Sequence, residues 1–551
     1  MTSDLLLRGG LVRTFDAELG NATAILFSGG RVVAVGDDDT VSAAAAPGTP
    51  TVDLRGRTVL PGINDAHLHL AWYALAGPEF CVNLAAAASL AEVRRALDAA
   101  PPGEWIVGRG WRETTIAEFA DGRAAPSRAW LDGVTGTRPT VLHHASSHSI
   151  WVNSAALERA SITAGTPDPT AGAILRDDDG EPTGVLVESA QELVARLVPE
   201  PSRDERLDAT VRTMARLNRL GVTSVTDPIV PPGLWQDYRD LHAAGRMTLR
   251  VTALLHWNWP SPTTSAADLS RTLDSTDLGA GDDLLRIGGI KLFADGVPTH
   301  CTAWMHQPYP DGGHGGLVTA GSGDPEQVRE LHELIAVAHR RRVRVQVHVT
   351  GDRAADAVVD AIEAAAAADP WPDARHVLIH GTFLSPEVHE RLARTGTGVI
   401  TSSLMRTFSG PSMVRIVGED RWQEAFPART LLDNGVVVAD SSDAPVTEPD
   451  WRRGVATFTG EPGPNPFSLL PQEKWLSRDE ALRLWTTGPA WLEHAENRKG
   501  TLVPGRLADL AVLDRDPVTA SGRELLGAHS VLTVLGGHLV SATGEVSCPD
   551  G

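Results

Sequence analysis

The frame His67-Leu68-His69 carries the strongest chemical signal in the chain. On a β-strand, residues i and i+2 face the same side. The two imidazoles would therefore project together while Leu68 packs outward, and imidazole nitrogens spaced this way can grip one metal ion. Taken alone, the pair reads equally well as two unrelated loop histidines. Other ligand-type residues end other strand-like runs. His348 closes Val343–His348, His380 closes His376–His380 just before Gly381, and Asp443 follows Val436–Asp440. Singly, each is a satisfied surface histidine or a turn-capping aspartate. Together, four histidines and an aspartate at the same ends of their strands point to a metal site.

Lysine usage adds a second signal. Of 49 basic residues, only Lys291, Lys474 and Lys499 are lysine. Lys474 and Lys499 sit in polar, loop-like sequence, whereas Lys291 lies inside the apolar run Gly288-Gly289-Ile290-Lys291-Leu292-Phe293. A neutral lysine amine reacts with carbon dioxide to give a carbamate, whose two oxygens can bridge two metal ions. A guanidinium stays protonated and cannot follow that route. The competing reading is a buried lysine paired with a carboxylate such as Asp295.

Ligands at strand ends need a scaffold that brings those ends together. Strand-like runs fall near Val59–His69, Val222–Asp227, Leu249–Trp257, Leu285–Phe293, Val343–Val349, His376–His380, Gly398–Ser402 and Val436–Asp440. Helical spacing appears between several of them, from Pro325, over Ala354–Ala367 and over Arg478–Trp491. Eight strands alternating with helices predict an α/β fold, a (β/α)8 barrel whose catalytic face is the C-terminal end of the strands. The gap after the first strand is too long for a βα connection and predicts an insertion over the barrel mouth. At the termini, short β-branched runs are joined by Gly-Gly turns, at Gly9-Gly10, Gly29-Gly30 and Gly536-Gly537, a hairpin pattern. The expected domains are a small β-sandwich from 1–58 and 497–551, a barrel from 59–74 and 199–496, and the insertion 75–198.

The bulk composition excludes some partners. The 551 residues carry a net charge of −21, which repels nucleic acid and anionic membrane surfaces. Three scattered cysteines, Cys81, Cys301 and Cys548, make neither a disulfide framework nor a cysteine zinc site. No signal peptide or membrane span is evident, so a cytoplasmic protein acting on a small molecule is expected.

The chain resembles the amidohydrolase superfamily, and within it the amidohydrolase 3 group that includes N-substituted formamide deformylases. The likeness rests on Val59–His69, His148–Leu157, Ile290–Gly296, Val347–Ala354, Ser442–Pro445 and Lys499–Leu510. It implies a centre of one or two divalent ions, usually zinc. His67 and His69 would hold the more buried ion with Asp443, carboxylated Lys291 would bridge, and His348 with His380 would hold the second. Members commonly read Glu-His-Ala in the sixth strand, where this chain reads Ile379-His380-Gly381. The resemblance implies hydrolysis of a non-peptide C–N amide bond, with the ion acidifying water and Asp443 moving its proton. Trp111, His148 and Arg353 are candidate substrate contacts. Each also has a plainer reading: Trp111 and His148 as packing, and Arg353 as a partner of Asp352. A homodimer is compatible with the family. The competing functions are deamination or cyclic-amide opening on the same scaffold, and a non-catalytic ligand-binding relative.

Overall fold

The computed structural model of the chain describes residues 4–113, 115–145, 149–169, 172–258, 261–310, 312–462 and 468–544. Contacts divide it into two compact units, Met1–Leu70 with Met214–Gly551, and Ala71–Thr213.

The first unit holds an eight-stranded parallel sheet. Its strands are β1 (Ile63–Asp65), β2 (Val222–Val230), β3 (Arg250–Leu255), β4 (Leu285–Phe293), β5 (Val345–Val349), β6 (Val377–His380), β7 (Gly398–Thr401) and β8 (Val438–Asp440). They pair in sequential order. Every residue of β2, β3 and β5 is buried, as in a parallel sheet covered on both faces. The cover includes helices α1 (Pro232–Ala243), α2 (Ala266–Asp274), α3 (Asp324–Arg340), α4 (Asp352–Ala368) and α5 (Pro386–Thr395). In α3 a proline near the start, acidic Asp324 and Glu326 in the first turn, and basic His339 and Arg340 in the last suit the helix dipole. Leu331, Leu334, Ile335 and Ala338 make its buried stripe. This architecture matches the (β/α)8 barrel expected.

The seam between β8 and β1 is bridged by side segments. Asn64 N donates to the Trp485 carbonyl and Asp440 N to the Leu484 carbonyl, both at 2.8 Å. Pro489 has no N–H to return to the carbonyl four residues earlier, which leaves Trp485 free to accept from β1. The helix predicted over Arg478–Trp491 is accordingly two helices, Arg478–Arg483 and Thr487–Leu492.

The first predicted strand, Val59–His69, also divides. Thr58–Pro61 belongs to another sheet, and β1 begins after Gly62. A Cβ on Gly62 would lie 2.1 Å from Thr223 Oγ1, so glycine is needed where the chain passes between sheets. That other sheet interleaves both ends of the chain, in the order His538–Ala542, Ser530–Leu535, Leu510–Leu513, Thr58–Pro61, Leu11–Arg13, Asn21–Ala22. It shares one apolar cluster, including Leu7, Ile25, Phe27, Val59, Leu510 and Val531, with a four-stranded sheet from the N-terminal segment. Gly29-Gly30 and Gly536-Gly537 turn antiparallel hairpins with positive φ at both positions. Gly9-Gly10 does not. Leu5–Arg8 and Leu11–Arg13 enter different sheets, so this glycine pair is a crossover.

The second unit is a six-stranded mixed sheet with a core on each face. Leu142 and Trp151 enter one cluster, and their neighbours Val141, Ile150 and Val152 enter the other.

At the N-terminal ends of the barrel strands, buried polar groups lock the scaffold. Glu493 accepts from Asn64 Nδ2 at 2.6 Å, Thr252 Oγ1 at 2.9 Å and Arg286 Nη2 at 3.1 Å. Lys499, expected in a polar loop, is buried and ion-paired to Glu493 at 2.9 Å. Nearby, His376 Nδ1 accepts from Val345 N at 3.1 Å, and His376 Nε2 meets His339 Nδ1 at 2.9 Å. His376 thus pins the starts of β5 and β6, whose far ends carry His348 and His380. Burial, with the charges of His339 and Arg344, lowers His376 to about 3. An unfolded histidine takes its proton near pH 6.5. The folded chain therefore keeps the full benefit of neutral His376 above that pH and loses it as the pH falls towards 3. The expected loss from this site is about 2 kcal/mol at pH 5. Melting midpoints measured from pH 7 to pH 5 should fall less steeply for His376→Asn than for wild type.

Candidate metal centre

His67, His69 and Asp443 come together at the C-terminal ends of the strands, with ligand atoms all within 4.8 Å of one another. His67 Nε2 lies 3.3 Å and His69 Nε2 3.2 Å from Asp443 Oδ1. Donors held tetrahedrally at zinc-ligand distances stand about 3.3–3.5 Å apart, so the spacing fits a shared cation. Asp443 Oδ1 is buried and takes no hydrogen bond while facing these nitrogens, an oxygen left for a cation. The three residues fit a divalent ion.

The histidines do not sit on a strand. They follow β1 in a loop held from both sides of the barrel seam. Asp65 Oδ1 accepts from His67 N at 3.3 Å and from Ser442 N at 3.1 Å. Asp443 N donates to the His67 carbonyl at 2.8 Å, and His69 N to the Ala444 carbonyl at 2.9 Å. Asp443 itself is in the left-handed region, φ 53°, a conformation uncommon outside glycine and typical of functional positions. Register between the two loops, more than strand alternation, brings the imidazoles to the carboxylate.

His348 and His380 stand beside this triad. The His67 and His380 ring centroids are 5.4 Å apart, and those of His348 and His380 are 4.7 Å apart. His348 Nε2 lies 3.1 Å from the Gly296 carbonyl. A carbonyl only accepts, so Nε2 carries the proton and the lone pair is on Nδ1. Lys291, at 2% exposure, belongs to the same electrostatic cluster. Burial brings its ammonium down to about 7, against the pull of Asp443. Burial and then the Lys291 charge lower His67 to about 3 and His348 to about 4. Burial would raise the Asp443 carboxyl, but the adjacent His67 and His69 imidazoles hold it well below the carboxylate range. The cluster thus favours neutral imidazoles at His67 and His348 beside an ionised Asp443, the protonation state in which these groups ligate a metal.

The alternative pairing of Lys291 with Asp295 is not formed. Asp295 accepts the backbone N–H groups of Thr350 and Trp304 at 3.0 Å and Gly351 at 2.8 Å. The Lys291 Nζ lies over the Phe293 ring at 4.8 Å. The structure gives the candidate substrate contacts other surroundings. Trp111 is fully buried in the core of the second unit, edge-on to Trp151 and Phe119, with Nε1 donating to the Leu142 carbonyl at 2.9 Å. It is a packing residue. The Arg353 side chain stacks over Trp304 at 4.1 Å and pairs with Asp324 at 3.4 Å, while only its backbone N donates to Asp352 Oδ1, at 2.8 Å. His148 lies outside the described residues. Asn153, from the same segment, is a buried helix cap that accepts from Ala156 N and Thr140 N, both at 3.0 Å.

Several supporting groups have no distinct mark in the sequence. Asp227 accepts from Tyr238 Oη at 2.5 Å and from Leu70 N, the residue after His69, at 3.2 Å. Asp440 accepts from Ser403 N at 3.0 Å and Ser441 N at 2.9 Å. Asp440 ends β8 and Asp227 lies within β2, so an aspartate in a strand-like run is the signal that could have found them.

The comparisons agree with this geometry. Residues 50–541 match the model of the amidohydrolase family, and the chain belongs to that family. Among curated relatives, it is 32% identical to an N-substituted formamide deformylase of Arthrobacter pascens, over 97% of this chain and 98% of that one. It is 30% identical to the Arabidopsis thaliana protein LONG AFTER FAR-RED 3, over 98% of this chain and 91% of that one. Among solved structures, an uncharacterised metal-dependent hydrolase from Pyrococcus horikoshii superposes with a TM-score of 0.74 at 24% identity, covering 95% of this chain and 99% of that one. No helix among the described residues is long and apolar enough to cross a membrane.

A ligand that binds only the folded chain stabilises it, by about 2.7 kcal/mol at 100 times its Kd. Zinc added back to chelator-stripped protein should therefore raise the melting midpoint, and His67→Ala and Asp443→Ala should each abolish the rise.

Proposed function

We propose that the protein hydrolyses a non-peptide C–N amide bond in a small molecule, with an N-substituted formamide or a related amide as substrate and zinc as the metal. The convergence of His67, His69 and Asp443 carries this reading. The formamide deformylase relative, matched over nearly its whole length, supports the bond type. An ion held in the cluster supplies Lewis acidity and acidifies water. The residues of the chain supply the rest. Asp443 is the base that takes the proton of the attacking water and returns it to the leaving nitrogen, so that a formamide yields formate and the free amine.

Lys291 completes a two-ion centre as a carbamate. Its nitrogen, neutral in part near pH 7, bonds to the carbon of carbon dioxide and releases a proton. His348 and His380 then serve the second ion with it. A net charge of −21 accords with a small substrate in place of a polyanion. A cytoplasmic location and a homodimer complete the proposal.

Metal-loaded protein should release formate and amine from some members of a panel of N-substituted formamides. Asp443→Asn keeps an oxygen ligand but not the base, and should lower kcat by about 10²–10⁴ with the metal retained. Ammonia release from amino-heterocycles, or turnover of cyclic amides alone, would overturn the substrate class. Binding of ligand without turnover of any panel member would place the chain among non-catalytic relatives.

A further inference from the structure

His380 ends β6 beside Ile379, which offers it no polar group. The outer nitrogen of the ring instead faces two serines. His380 Nδ1 is 3.0 Å from Ser402 Oγ, Ser402 Oγ is 3.3 Å from Ser441 Oγ, and Ser441 Oγ donates to the Thr401 carbonyl at 2.9 Å. Ser402 and Ser441 are fully buried and His380 is 4% exposed, so water does not compete for these groups.

The chain of bonds has only one direction. A carbonyl accepts and never donates, so the single proton of Ser441 is committed to Thr401. Ser441 Oγ must then accept from Ser402, whose proton is committed in turn. Ser402 Oγ can only accept from His380 Nδ1–H. A neutral imidazole has one N–H, so the His380 lone pair lies on Nε2. Asp440 holds Ser441 and the residue after Ser402, because its carboxylate accepts from the N–H groups of Ser441 and Ser403 and from the Ser403 hydroxyl.

We infer that Ser402 and Ser441 form a one-way hydrogen-bond relay that sets the tautomer and orientation of His380 and so pre-forms the half-site for a second cation. Ser402 is a positioning residue and touches no substrate. The relay spans β6, β7 and β8, and takes the orienting part that a carboxylate often plays behind a metal-bound histidine. The inference rests on the two-ion reading proposed above.

The test is equilibrium dialysis of the full chain against chelator-buffered free zinc, read as zinc per chain. Wild type should bind two ions. Ser402→Ala should weaken the second about 10–100-fold and leave the first unchanged. Ser402→Thr, which keeps the hydroxyl, should restore it. Ser441→Ala should cause a smaller loss, because the Ser402 proton is then free to turn towards His380. Circular dichroism melts establish that each variant is folded. Unchanged affinities in folded Ser402→Ala, equal loss of both ions, or a folded Ser402→Thr without rescue would each overturn the relay while leaving the two-ion reading intact. Wild type saturating at one zinc would instead contradict the two-ion reading, and the relay with it.

Discussion

The structure depends on how the barrel closes. β1 and β8 meet at a seam, and the segments that bridge it also build the site. Below the site, the Leu484 and Trp485 carbonyls accept from β8 and β1. Above it, Asp65 binds the His67 and Ser442 amides, Asp443 N binds the His67 carbonyl, and His69 N binds the Ala444 carbonyl. The same bonds that join first strand to last set the two imidazoles against the Asp443 carboxylate. A shift in that register would open the barrel and separate the metal ligands together.

That coupling explains the electrostatics. A buried carboxylate is costly unless it is paired or holds a cation. Asp443 is ionised in spite of its burial, and it faces His67, whose imidazole is kept neutral chiefly by burial. A divalent ion held between His67, His69 and Asp443 would take up that charge. Asp227, Asp295 and Asp440 differ: they are also buried, in or just after barrel strands, but each is taken up by backbone N–H groups or hydroxyls. The arrangement separates one carboxylate left for the metal from three that hold the loops.

Much of this was legible in the sequence, and the limits have physical causes. Strands buried on both faces leave continuous apolar runs, so seven of the eight barrel strands were readable, with ends three residues off at most. His348, His380 and Asp443 were found because each follows such a run directly. The first strand was misread in extent, because Val59–His69 has no composition break to show that Gly62 passes between two sheets. The break in the helix near Pro489 and the crossover at Gly9-Gly10 were missed for a related reason: both are decided by distant partners. Lys291 stood out by its residue type alone. Lys499, which reads as a loop lysine, is buried by Glu493, which lies six positions away in sequence and whose other partners come from β1, β3 and β4. Trp111 and Arg353 show the converse. Aromatic and cationic residues beside site-like segments were packed or stacked elsewhere, which no local pattern reveals.

The most direct test is diffraction from crystals of the zinc-loaded protein at the zinc absorption edge. The account predicts an anomalous peak about 2.0–2.2 Å from His67 Nε2, His69 Nε2 and Asp443 Oδ1. It predicts a second peak about 3.5–4 Å away, towards His348 and His380, with density extending the Lys291 side chain between the two. No peak among His67, His69 and Asp443, or zinc bound only elsewhere on the chain, would contradict it.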